Sequence, residues 1–354
     1  MPRPSRDLPK GPWGPDRTIA EKRVGGSGVR KFGGPRDRVP SPPTTSVRVV
    51  TPAAIRRRAI IAAFMLPDVL TRSLRIVLRM IRIEHTVFAL PFAFLGAFLA
   101  ASGLPEWETS LWILLAMVGA RSAAMAFNRL VDRDYDSSNP RTVGRELPRG
   151  RVGPGAVRAF IVGASLLFFL AAWMLNPLAF ALSPLALSIV LGYSYTKRFT
   201  SYSHLFLGLS LGIAPVGGWI AVTGSLAPEP FILAAAVLFW VAGFDVIYAC
   251  QDVDFDRGTG LYSIPATLGI ARALRISALF HAIMILLLAW AFILFELSVA
   301  SWLGLALVAL ALVWEHRLVK PNDLSRVNTA FFSINGVVSI LLFLFVGLDL
   351  CLFV

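Results

Sequence analysis

A chain of 354 residues that is 56% hydrophobic and only 16% charged, with a mean hydropathy of +0.68, is too apolar for a water-soluble domain. Its two cysteines, Cys250 and Cys351, are too few for a disulfide framework or a thiolate metal site. The net charge of +13 is concentrated near the start, where the residues through Arg58 hold 14 Lys and Arg against four acids.

That first stretch is rich in Gly, Pro, Ser and Arg and lacks apolar periodicity, so it cannot bury enough surface to fold. Residues 1–67 are expected to be a disordered basic tail on the cytoplasmic side. A targeting segment or a start codon assigned too early remains open, and no interleaved aromatics suggest nucleic acid. Residues 68–84 follow as an amphipathic helix. Arg72, Arg75, Arg79 and Arg82 stack on one face, with Leu70, Leu74, Val77 and Ile81 on the other. Such a helix is expected to lie in the membrane interface with its arginines on lipid headgroups.

From residue 85 to the end the reading is all-α. Nine apolar runs are each long enough to cross roughly 30 Å of hydrocarbon: 86–103, 111–127, 157–175, 178–195, 204–223, 231–250, 274–295, 299–315 and 330–349. Their length and lack of alternation favour helices over strands. The connections after spans two, four, six and eight, with their flanks, carry fifteen Lys and Arg, and the opposite connections carry none. This alternation orients the even-numbered loops and the basic tail towards the cytoplasm, and predicts an inner-membrane protein.

Two segments at the cytoplasmic ends of spans two and six are alike. One runs Asn128-Arg129-Leu130-Val131-Asp132-Arg133-Asp134-Tyr135-Asp136, the other Asp245 to Asp252-Val253-Asp254-Phe255-Asp256. Both end in Asp-x-Asp-aromatic-Asp, an internal repeat. At 100° per residue, Asn128, Asp132 and Asp136 share one helical face, and so do Asp245, Asp252 and Asp256. Like charges one turn apart repel, so each ladder calls for a cation. Mg²⁺ suits it, because it prefers oxygen and binds through one or two carboxylates plus substrate phosphates. Scattered loop acids are usually only solvated, but Asp245 lies inside an apolar run, where an ionisable group normally marks a site. Arg121, inside span two, is its expected counter-charge or a diphosphate ligand. Tyr193 and Lys197, one turn apart at the end of span four with Arg198 beside them, are a weak signal alone. Beside a diphosphate they read as a leaving-group clamp. Gly208, Gly212, Gly217 and Gly218 in span five read as close helix packing, and Cys250 as a small packing residue.

Asn128-x-x-x-Asp132-x-x-x-Asp136 followed by Asn139-Pro140-Arg141-Thr142-Val143-Gly144-Arg145, the Tyr193-x-x-x-Lys197 element and the second motif from Asp245 to Asp256 together resemble the UbiA-type intramembrane prenyltransferases over about residues 80–354. The resemblance implies a nine-helix bundle around a central cavity, capped at its cytoplasmic end by the Asp motifs, with Mg²⁺ as cofactor. Within the superfamily the likeness is to the 4-hydroxybenzoate polyprenyltransferases. The Phe127-Asn128-Arg129 wording and Ser263-Ile264-Pro265-Ala266 are also similar to the menaquinone-linked branch that uses 1,4-dihydroxy-6-naphthoate.

The resemblance implies these roles: Asp132, Asp136, Asp252 and Asp256 hold Mg²⁺ on the diphosphate of the prenyl substrate. Arg121, Lys197 and Arg198 assist. Arg141 or Arg145, with Asn128, anchors the carboxylate of the aromatic acceptor, and Asp245 orients a ligand or water. The expected partners are these two substrates and the bilayer, with no nucleic acid and no obligate protein partner. The rival from another class is an ion-coupled transporter, which would also use intramembrane charges and a repeat.

Overall fold

A computed structural model describes residues 74–80 and 90–352. The expected basic tail, most of the amphipathic helix and the first residues of span one lie outside the described residues. Helix α1 (74–80) is the described part of the amphipathic stretch. Its Arg75 and Arg79 are exposed, while Val77 and Met80 are buried against Ala126, Leu147, Val152 and Val157. The buried face is thus Val77 and Met80. Leu74, on the same apolar side, is exposed, as a lipid-facing residue of an interfacial helix would be.

The spans follow the apolar runs closely. They are α2 (Leu90–Ala101), α3 (Trp107–Val131), α5 (Pro154–Leu175), α6 (Pro177–Thr196), α7 (Ser203–Thr223), α8 (Glu229–Ala249), α11 (Ile270–Leu294), α12 (Val299–Leu318) and α13 (Asn335–Leu352). Short helices α4 (Arg133–Ser138), α9 (Val253–Thr259) and α10 (Ile264–Leu268), with a π-helical turn at Thr329–Ile334, gather at one end. Among the described residues eight helices are long and apolar enough to cross a membrane, and α2 is a shorter apolar one. It is the described part of the first expected span, 86–103, whose residues 86–89 lie outside the described residues.

Local chemistry sets the helix ends. Asn176 accepts a hydrogen bond from Ala179 N at 2.9 Å and caps α6, whose first residue is Pro177, the position where a missing N–H costs nothing. Gly224 closes α7 at φ 65°, a left-handed turn that suits glycine. Consecutive spans pack on one another, α13 returns to α2, and α2 also packs on α7. The last contact is tight, because a Cβ on Gly218 would strike the carbonyl of Ala93, and one on Gly96 the carbonyl of Pro215. Gly208 and Gly212 seat α8 in the same way, with Ala234 O at 2.7 Å from a Cβ on Gly212. Gly217 alone of the four faces open space.

Trp240 sits at the centre of the main core, with Phe92 4.9 Å away between ring centroids. Outward residues such as Leu166, Leu286 and Leu310 are exposed, as lipid-facing side chains should be. Trp107, Trp173, Trp290 and Trp302 are exposed at the end opposite the short helices. This places an aromatic belt at that interface. The chain is a multi-pass membrane protein.

Candidate active site

Both Asp motifs break their helices at the same residue. Asp132 ends α3 and begins α4 with φ −86° and ψ 3°. Asp252, leaving a 3₁₀ turn after α8, begins α9 with φ −106° and ψ 9°. The i→i+4 bonds nevertheless continue through the first break, from Asp132 N to Asn128 O at 2.9 Å and from Asp136 N to Asp132 O at 2.8 Å. Asn128, Asp132 and Asp136 therefore stay on one face, while Asp134 between them turns outward and is exposed.

These faces meet across one cavity of about 860 Å³. Arg121, Asn128, Asp132, Asp136, Arg141, Arg145, Tyr193, Lys197, Asp245, Asp252 and Asp256 all line it. Arg198 does not. It donates to Val131 O at 2.8 Å, lies over the rings of Tyr135 and Tyr195, and stays 3.9 Å from Asp132. Its place is on the end of α3, tying α6 to it. Leu207, Leu211, Val241, Phe244, Phe331 and Phe332 make the cavity's apolar wall. Along α3, Arg121 lies eleven residues before Asp132, about 16 Å deeper at 1.5 Å per residue. The cavity thus grades from a charged mouth to an apolar interior, with one cation set into its depth.

Each motif carboxylate is partnered by the chain itself. Asp132 accepts from Lys197 Nζ at 2.7 Å and Asn128 Nδ2 at 3.1 Å, both on Oδ2. Asp136 Oδ1 accepts from Arg145 Nη1 at 2.6 Å. Asp252 takes the fork of Arg141, with Nε at 2.9 Å from Oδ1 and Nη2 on Oδ2, and Asn139 Nδ2 adds a bond at 3.2 Å. Arg141 also donates to the Tyr248 hydroxyl at 3.0 Å. Burial pulls the Arg141 guanidinium down, but its bonds to Asp252 and Tyr248 outweigh this and raise it above the ordinary arginine value. Asp256 Oδ2 accepts from Ser263 Oγ at 2.8 Å. Arg141 and Arg145, expected on the acceptor's carboxylate, are thus engaged by the motif acids.

The expected pairing of Asp245 with Arg121 is replaced by another. His204, in the first turn of α7, contacts Asp245 Oδ2 through Nδ1 at 2.7 Å. The N–H of Ile264 can only donate, and it reaches His204 Nε2 at 3.2 Å. Nε2 is therefore the acceptor, and Nδ1–H donates to the carboxylate. Arg121 keeps a buried Nε with no hydrogen-bond partner among the described residues. His204, Asn139 and Tyr248 complete the site. The sequence signal for His204 is its place as a lone polar ring at the head of an apolar run, which by itself is a satisfied core histidine as often as a site residue.

Two further atoms test whether the motif suits a metal ion. Asp132 Oδ1 and Asp136 Oδ2 are buried and have no hydrogen-bond partner among the described residues. A bare, buried carboxylate oxygen is costly, and a hard cation with oxygen ligands is the partner that would remove the cost. The first motif fits Mg²⁺. The cations on the two motifs are reachable from the mouth, since the side chains of Lys197, Arg145 and Arg141 are 34%, 25% and 32% exposed.

Comparison with known proteins agrees with this geometry. Residues 89–337 match the model of the UbiA prenyltransferase family. A 4-hydroxybenzoate octaprenyltransferase of Thiobacillus denitrificans is 33% identical over 66% of this chain and 79% of its own length. That of Methylobacillus flagellatus is 31% identical over 68% and 81%. The apo structure of a UbiA homolog from Aeropyrum pernix K1 superposes with a TM-score of 0.70 at 37% identity, covering 75% of this chain and 98% of that one. A UbiA homolog from Archaeoglobus fulgidus, solved with DMAPP and Mg²⁺, shares the fold with a TM-score of 0.62 at 20% identity, covering 78% and 99%. By sequence, fold and motif geometry together, this chain belongs to the UbiA prenyltransferase family and is a prenyltransferase.

Proposed function

We propose that the enzyme transfers a polyprenyl group from a prenyl diphosphate to an aromatic acid of the 4-hydroxybenzoate type, for respiratory quinone synthesis. One observation carries the reading: two Asp motifs from different halves of the chain face one cavity that turns apolar below them. A diphosphate head with a long hydrocarbon tail has that same polarity. The relatives named above act on 4-hydroxybenzoate by their names, and a fold relative binds DMAPP with Mg²⁺. A transporter is the poorer account, because the charged groups collect at one end of the bundle.

Asp132 and Asp136, with Asp252 and Asp256 opposite, would hold Mg²⁺, which supplies charge neutralisation to the diphosphate. Lys197 and Arg145 then turn from the carboxylates to the phosphate oxygens. Arg121, deeper and without a partner on Nε, meets the same anion or the acceptor's carboxylate. The bond from the prenyl C1 to the diphosphate oxygen breaks, and its electron pair leaves with the diphosphate. The ring carbon ortho to the hydroxyl bonds to C1, and the ring proton passes to Asp245, which His204 fixes in place. Exclusion of water by the surrounding helices protects the allylic cation.

The orientation that the basic loops favour puts the mouth and the chain's start on the cytoplasmic side of the inner membrane. In that arrangement a soluble aromatic acid enters from the cytoplasm and the tail lies in the bilayer.

The test is an acceptor screen. Purified enzyme with Mg²⁺ and a prenyl diphosphate is offered 4-hydroxybenzoate and 1,4-dihydroxy-6-naphthoate, with pyrophosphate release and prenylated product as readouts. Prenylated 4-hydroxybenzoate is expected. Product from the naphthoate alone would reassign the acceptor, and no product from any aromatic acid would reject the reading.

A further inference from the structure

Away from the diphosphate cavity, a second group of ligating side chains lies buried within the spans. His281 on α11 and Glu315 on α12 are 2% and 0% exposed, and His316 beside Glu315 is half-buried. One ligand atom from each of the three lies within 4.8 Å of the others. His281 Nδ1 is 2.9 Å from His316 Nε2 and 3.5 Å from Glu315 Oε2. Ligands at the 2.0–2.1 Å bond lengths of zinc are separated by about 3.3 Å along the edge of a tetrahedron. The two spacings bracket that length.

Three surrounding contacts fix the chemistry. The carbonyl of Trp240 can only accept, and it lies 3.2 Å from His281 Nε2. The proton of a neutral His281 therefore sits on Nε2, Nδ1 accepts from His316 Nε2–H at 2.9 Å, and an ion entering there takes the place of that proton, with His316 passing to its Nδ1–H tautomer. A ring nitrogen bonded back to a backbone carbonyl is the usual support for a ligating histidine. Glu315 is held in the same manner, with Asn335 Nδ2 donating to Oε1 at 2.8 Å and Trp240 Nε1 donating in turn to Asn335 Oδ1 at 2.8 Å. Glu315 Oε2 remains buried with no hydrogen-bond partner among the described residues. Room for the imidazole is made by Gly243, where a Cβ would overlap His281.

We propose that His281, His316 and Glu315 form a second metal site, an intramembrane three-ligand centre for a divalent transition ion of the zinc class, distinct from the Mg²⁺ cluster. Two imidazoles and a carboxylate favour such an ion over Mg²⁺, which seeks oxygen alone. Half-buried His316 gives the ion its way in, and three protein ligands leave a fourth position for water. The ion would join α11 to α12. Through Glu315 it would also fix Asn335, whose amide donates to Ala330 O and Phe331 O in the π-helical turn. Phe331 packs 4.2 Å from the Tyr248 ring in the cavity wall. The centre therefore steadies that wall from behind.

The experiment is metal analysis of the full-length enzyme, purified without a histidine tag, stripped with a zinc-selective chelator and titrated with Zn²⁺ alone. Wild type should bind about one zinc per chain, with an X-ray absorption signature of two imidazoles and one oxygen. Its melting temperature should rise on zinc addition. Glu315→Gln keeps the shape and the Asn335 bond, and should weaken zinc binding by about tenfold or more. His316→Ala, on the half-buried side, provides the same test if Glu315→Gln does not fold. Asp132→Ala should bind zinc as wild type does. The site is rejected if stripped wild type takes up no zinc at micromolar concentration. It is equally rejected if uptake survives both ligand variants, or disappears in Asp132→Ala alone. None of these readouts depends on prenyl transfer.

Discussion

The two Asp motifs share a sequence pattern and a backbone conformation, yet their carboxylates are satisfied differently. In the first, Asp132 and Asp136 are buried, with side chains 4% and 8% exposed, and each uses one oxygen and leaves the other bare. In the second, the Asp252 side chain is 17% exposed and both of its oxygens are taken. Its partners, Arg141 and Asn139, come from the loop that follows the first motif. Asp132 and Asp136 thus present vacant ligand atoms, while Asp252 is braced by the loop of its counterpart motif. A duplicated motif can diverge in this way without losing its shape, because the loops beyond it decide which oxygens stay free.

The sharpest way to break the comparison is to remove one acid from each motif. Asp132→Ala and Asp252→Ala should each lower turnover by about 10³-fold, the scale for losing a charge-stabilising element. Both variants should still insert and elute as wild type does. If only one of them were inactive, the motifs would not serve a shared anion. Radiolabelled prenyl transfer at saturating Mg²⁺ measures this.

A smaller effect tests the brace. Arg141 occupies both Asp252 oxygens, so it competes with any metal there and also fixes the carboxylate's direction. Arg141→Ala should lower kcat by about 10²-fold through lost positioning, while the Mg²⁺ concentration for half-maximal activity falls. Arg141→Lys keeps the charge but not the fork, and should lie between the two. Arg145→Ala, acting on an acid that already has a free oxygen, should move the Mg²⁺ requirement less. Equal shifts in the two alanine variants would erase the distinction between the motifs.

Much of this arrangement was legible in the sequence because it depends on periodicity. The apolar runs located the spans to within a few residues, and the steps of four in the first motif and of seven and four in the second picked out acids that line one cavity. Local spacing does not report who meets whom across the bundle. His204 stands 41 residues from Asp245, and Asn139 stands 113 from Asp252. These contacts arise from tertiary approach, so the counter-charge assigned to Asp245 went to Arg121, the nearest cation inside an apolar run. Nothing marks Glu315 and His316 as other than a charged helix end until α11 and Asn335 are packed against them. Spacing put Leu74 and Val77 on one apolar side of the interfacial helix, but it could not say that Val77 packs on the protein with Met80 while Leu74 stays exposed.

The smallest change sharpens the contrast within the second motif itself. Asp256 pairs with no arginine among the described residues, and its Oδ2 accepts from Ser263, which also caps α10 by accepting from Ala266 N at 3.3 Å. Ser263→Ala removes both bonds at once but leaves every charge in place. A hydrogen bond to a carboxylate contributes about 1.5–3 kcal/mol, discounted here because Asp256 is only partly buried, and a lost cap about 1 kcal/mol, so the melting temperature should fall by several degrees. Transfer should slow by only about fivefold, since 1 kcal/mol of misplacement corresponds to that factor. Ser263→Thr retains the hydroxyl and should restore most of both. If Ser263→Ala were as damaging as Asp252→Ala, the serine would be acting on substrate directly, and Asp256 would be held by something other than the α10 cap.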